Sequence, residues 1–133
     1  MRRLIRDRRG TEILEAAVTI PILVLLTLGM VQLGAMVYAS QMAKEAARHG
    51  ARMGSVAQVN PAGVAAAAAY NYARGVFPIG NPQVEILAPG GVVGTELRVR
   101  VTYHVPNLVG GFPGIPSGPL TTMGEATARQ EGW

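Results

Sequence analysis

A chain of 133 residues holds one small domain and no more. It is 49% apolar but has only two Phe and one Trp, which excludes a large aromatic core, and with no cysteine it has neither disulfides nor thiolate metal sites. The formal charge of +4 does not point to nucleic acid. Five arginines against Asp7 carry all of it within residues 1–10, and seven Lys or Arg against seven Glu leave the remainder neutral, with no single-sign field to steer a polyanion.

The first informative stretch is RRGTEILEAAVTIP, residues 8–21, where a basic tail meets Gly10 and then Glu12 and Glu15. From Ala16 to Ala43 no residue is charged, a run of 28 residues. As a helix it is ~42 Å long at ~1.5 Å per residue, enough to cross a hydrocarbon core of ~30 Å with length to spare. Its plain alternative is the core helix of a soluble protein, but such helices seldom run so long without a polar face. Five arginines precede the run, and Lys44, Glu45, Arg48 and Arg52 follow it. The denser positive flank is expected to stay cytoplasmic, with everything after Lys44 on the far side. A secretory signal cleaved after its apolar part, at VYAS (residues 37–40), is a further reading that the length of the run disfavours.

The helical pattern continues to about residue 58. Lys44, Arg48 and Arg52 form a basic stripe, and Ala43, Ala46, Ala47, Gly50, Ala51 and Gly54 a stripe of small residues. Gly50 and Gly54 each cost about 1 kcal/mol of helix propensity relative to Ala. Either another backbone packs closely there, making them assembly residues, or the helix frays toward Asn60-Pro61. A second helix then begins, with Asn60 as cap and Pro61 in its first turn, and ends before Pro78.

Beyond it the period changes to two. Leu97, Val99, Val101, Tyr103 and Val105 alternate with polar residues, the pattern of a half-buried antiparallel strand. QVEIL (residues 83–87) is a shorter partner across the turn APGGVVG. Residues 106–120, rich in Gly, Pro and apolar side chains, read as a long loop that packs onto something. LTTMGEATARQE reads as a third strand weakened by Gly124. The fold class expected is α+β: a long N-terminal transmembrane helix, a short helix and a small antiparallel sheet. Its parts are a basic leader 1–10, a membrane and juxtamembrane helix 11–58, and an extracytoplasmic domain 59–133.

Catalysis lacks the residues it needs. Outside the leader there is no Asp, one Lys, and two histidines. His49 lies on the first helix and His104 on the polar side of a strand, without the company a triad or a metal site requires. No cofactor and no metal are expected.

A short basic leader ending in Gly10, Glu15 as the fifth residue after it, and an apolar stretch with Pro21 early in it resemble type IV pilin precursors. More narrowly, the N-terminal half resembles the TadE/TadG-like pseudopilins of tight-adherence pilus systems, with AARHGAR (residues 46–52) just past the apolar run. The resemblance covers roughly residues 1–58; Thr11 and Glu12 depart from the small apolar residues usual after the glycine. It implies a pilin-type helix, cleavage between Gly10 and Thr11 by a membrane prepilin peptidase, and a structural or assembly role in an extracellular filament. A glycine lets the chain extend into a narrow cleft, although Gly10 could simply separate tail from helix.

A carboxylate in hydrocarbon is costly. The resemblance implies that Glu15 neutralises the Thr11 ammonium of an adjacent subunit, and Glu12, one turn earlier, could share the role. The alternative for both is favourable charge at a helix N-terminus. Implied partners are other pilin subunits, the peptidase, the pilus assembly platform and, before assembly, the lipid membrane, with no nucleic acid. The chain would begin as a single-pass precursor in the cytoplasmic membrane, N-terminus inside, and end in an extracellular filament. A minor subunit is favoured over the main one. The rival readings are an uncleaved single-pass protein with a partner-binding outer domain, and a secreted domain.

Overall fold

The computed structural model describes residues 8–131; the leader up to Asp7 lies outside the described residues. One helix, α1 (Arg8–Ser55), dominates it. A second helix, α2 (Pro61–Val76), folds back along α1, and a single 3-10 turn (Pro78–Gly80) leads into three strands. These are β1 (Gln83–Pro89), β2 (Glu96–Val105) and β3 (Leu120–Arg129), joined antiparallel in the order β1-β2-β3. The fold is α+β, as expected, with a helix pair on one face of a small sheet.

The two helices approach closely because their contact is built from small residues. Ala39, Ala43, Ala46, Ala47 and Ala51 of α1 and Ala65, Ala69 and Ala73 of α2 are all buried. A Cβ on Gly50 would come within 2.6 Å of the Cβ of Ala69, and one on Gly54 within 2.6 Å of the Cβ of Ala65. Close approach, rather than fraying, therefore explains both glycines. The backbone that approaches is the chain's own α2, however, so this stripe is covered inside the subunit and is not a free assembly surface.

Asn60 starts α2 as expected. It takes the left-handed conformation (φ 49°), and its Oδ1 accepts the amide of Gly63 at 3.1 Å. The helix ends when the Phe77 amide donates to the Ala73 carbonyl, just before Pro78, which cannot continue it.

The period-two pattern of β2 is realised in full: Leu97, Val99, Val101, Tyr103 and Val105 are buried against the helices. The Tyr103 hydroxyl donates to the Ala73 carbonyl at 2.8 Å. Its ring meets Phe77 edge-on at 5.4 Å, and Phe77 in turn meets Tyr38 of α1 at 5.8 Å. On the opposite, wet face Arg100 sits in register with Glu85 and Glu125 on the two flanking strands and pairs with both, at 3.2 and 2.6 Å. Such solvent-screened pairs fix register more than stability. β1 extends two residues further than its apolar core implies, through a register shift between Ile86 and Ala88.

The third strand forms in full despite Gly124. A Cβ there would strike the main chain of Ala43 and Lys44, so Gly124 is where β3 lies directly against α1. The glycine that weakens the strand as a sequence is the one its packing requires.

Candidate functional site

The core described above engages only the second half of α1. Gln32 is the first buried residue along it, 4% exposed. From Thr11 to Val31 every residue is exposed except Leu25, Leu28 and Gly29, which are half-buried. Ile13, Leu14, Leu23, Leu26, Met30 and others present more than half of their surface. The 28-residue apolar run thus divides at Gln32, and its surplus length belongs to the folded unit. The charge-free part before Gln32, residues 16–31, is ~24 Å long by helical rise, and the exposed helix from Thr11 is ~31 Å long with Glu12 and Glu15 in its first turns, so a hydrocarbon core of ~30 Å meets the glutamates near one face.

The free stretch is helical throughout. Pro21 lies inside it, and the Thr27 hydroxyl is satisfied locally by the Leu23 carbonyl at 2.8 Å. A hydroxyl bonded back to its own helix enters an apolar medium at reduced cost. By length and composition α1 suits a membrane span.

The residues proposed from the sequence as a cleavage junction and assembly contacts fall into two groups. Gly10, Thr11, Glu12 and Glu15 all lie exposed on the free end of α1. Glu12 and Glu15 are three residues apart and so share one side of the helix; neither forms an ion pair among the described residues. Among the described residues a Cβ on Gly10 would meet nothing within 4 Å. Gly50 and Gly54 belong elsewhere, under α2, some 40 residues further along.

Gln32 carries a role the residue pattern did not single out. Its Nε2 donates to the Pro106 carbonyl at 3.2 Å, and its Oε1 accepts the Leu108 amide at 2.7 Å. The loop after β2 is thereby tied to the helix, the packing expected of residues 106–120. The run holds two carboxamides, Gln32 and Gln41, of which only the first is buried, and the sequence alone does not tell them apart.

The two histidines lie apart, on α1 and on β2. His49 lies over Tyr72 at 5.1 Å, in an open groove that Glu45, Arg48, Arg52 and Arg129 also line. His104 is half-buried in β2. Among the described residues no three metal-ligating side chains come together.

No curated protein and no solved structure matches the chain. A family model described as TadE-like protein matches residues 10–52, most of α1 from the exposed glutamates to Gly50 under α2, which is consistent with a TadE-like, Tad pilus-related protein.

Proposed function

We propose that this chain is an assembly subunit of a tight-adherence pilus, held in the membrane by the free half of α1 until it is incorporated into a filament. The observation that carries the reading is the exposed helix of residues 11–31, free of charge from Ala16 on, projecting from the folded unit. So much apolar surface is not stable in water. Lipid covers it before assembly, and the helices of neighbouring subunits cover it afterward.

Gly10 supports processing. Among the described residues nothing packs against Gly10, which leaves it open to an external use. A prepilin peptidase at the cytoplasmic face cuts after it, where the leader arginines hold the junction. The cut frees an ammonium on Thr11, and Glu15 of an adjacent subunit neutralises it as helices leave the bilayer.

Mass spectrometry of the mature protein tests this. A chain starting at Thr11 supports the reading; an intact leader supports an uncleaved single-pass protein instead. Gly10→Leu is expected to accumulate in the membrane at the full 14.0 kDa, because the apolar run is untouched.

A further inference from the structure

The loop between β2 and β3, residues 106–119, has a built shape and an unexplained surface. Fourteen residues without regular structure are unusual in a small domain and generally functional. Asn107 closes this one: its Nδ2 donates to the carbonyls of Pro116 at 2.8 Å and Gly118 at 3.2 Å, and its Oδ1 accepts the Val109 amide. Two turns order the interior, Phe112 N–H to the Val109 carbonyl and Ile115 N–H to the Phe112 carbonyl. The result is a compact Ω-type loop. It carries no charged residue, leaves Leu108 47% exposed, and keeps Val109, Phe112 and Ile115 half-exposed.

Its location gives that surface a meaning. Gln32 pins the loop to α1 at the position where the ~31 Å free stretch ends. The same side of α1 stays half-buried at Gly29, Leu28 and Leu25, three, four and seven residues before Gln32, or ~10 Å along the axis. The opposite end of the sheet lies far away: Gly94 bonds Gln130, which in turn bonds Ala57 beyond the end of α1, ~35 Å from Gln32 by helical rise.

We propose that loop 106–119 is a membrane foot, seated in the headgroup and outer acyl region of the bilayer where α1 emerges. It rests on the reading of α1 as a membrane span before assembly. The depth is bounded from both sides. Irregular backbone is excluded from the hydrocarbon centre because its amides and carbonyls need water, while an apolar surface inserted some 5–10 Å reaches the acyl boundary with its backbone still hydrated. The foot fixes how far the folded unit stands above the lipid, and it must lift when the helix is withdrawn into a filament.

The chain has no cysteine, so single labels are unambiguous. Phe112→Cys, Val92→Cys and Leu23→Cys each carry an environment-sensitive fluorophore on the full chain in lipid nanodiscs. They are read against aqueous iodide and against lipids bearing a nitroxide near the headgroup or near the acyl terminus. The Phe112 label should be quenched most by the shallow nitroxide and about threefold less by iodide than the Val92 label, while the Leu23 label responds to the deep nitroxide. Leu108→Cys gives the same readout from an already exposed position if Phe112→Cys does not fold. Lipid quenching at Leu23 but at neither loop position overturns the foot alone. Iodide protection without lipid quenching means that a second protein surface covers the loop, and also overturns it. A Leu23 label that no lipid quenches removes the membrane span and the foot together.

Discussion

Gly124 of β3 lies flat on the backbone of Lys44 in α1, with no room between them for a side-chain carbon. This contact sets how closely the sheet covers the long helix. Neither backbone segment can move without displacing buried neighbours: Ala43 and Ala46 on the helix, and Val101, the register partner of Gly124, on the sheet. Gly124→Val is therefore expected to destabilise the folded unit by about 3 kcal/mol or more, although valine is the better strand former. Thermal unfolding of the detergent-solubilised chain measures the loss. An unchanged midpoint would mean that β3 does not pack as described.

Gly50→Leu and Gly54→Leu act on the other side of α1. Each gains about 1 kcal/mol in helix propensity and each collides with α2, Gly54 with the Leu97 side chain as well. Overpacking of this kind costs about 1–3 kcal/mol or more, so the clash outweighs the gain. The expected result is faster proteolysis between residues 56 and 130 with membrane insertion intact. Filament loss in these variants follows from misfolding of the subunit rather than from a lost intersubunit contact.

Tyr103 makes stability sensitive to alkali. Burial pushes its phenol from 10 up to about 12, with Tyr38 and Tyr72 contributing. The folded state therefore favours the neutral phenol. Its contribution is fully present below pH 10 and is lost as pH rises through about 12. Tyr103→Phe removes that dependence. At neutral pH it is expected to cost only about 1 kcal/mol, because the Ala73 carbonyl keeps the Phe77 amide. Denaturant midpoints of the two proteins across this range should draw together as pH rises; parallel curves would contradict the assignment.

How much of this was legible in the sequence differs by element. β2 could be read residue by residue because one of its faces is dry and the other wet, so burial writes itself as alternation. The capping of α2 by Asn60 and Pro61 was legible for the same reason, being local chemistry. The glycines were legible only in part. Gly50 and Gly54 announce a close approach, but a sequence does not say which backbone arrives, and it is α2 rather than another subunit; Gly124 reads in the sequence only as a weakness of its strand, and its packing on α1 is seen only in the fold. The long apolar run of α1 concealed its own division. Alanine serves equally against lipid and against another helix, and of the two glutamines in the run it is Gln32, not the exposed Gln41, whose carboxamide finds partners and marks where one environment gives way to the other.

The central claim is that Glu15 pairs with the Thr11 ammonium of a neighbouring subunit once the leader has been removed. Both residues lie exposed on the free end of α1, available to a neighbour. Wild type, Glu12→Ala and Glu15→Ala, run in parallel, separate this from a simple helix-end effect, which is worth under ~1 kcal/mol and would treat the two glutamates alike. The cleaved fraction and the sheared filament fraction are measured separately for each. Glu15→Ala should insert, be cut after Gly10 as completely as wild type, and yield little filament, with Glu12→Ala close to wild type. Equal filament yields from all three would contradict the claim, as would a cleavage defect in Glu15→Ala large enough to account for its loss of filament.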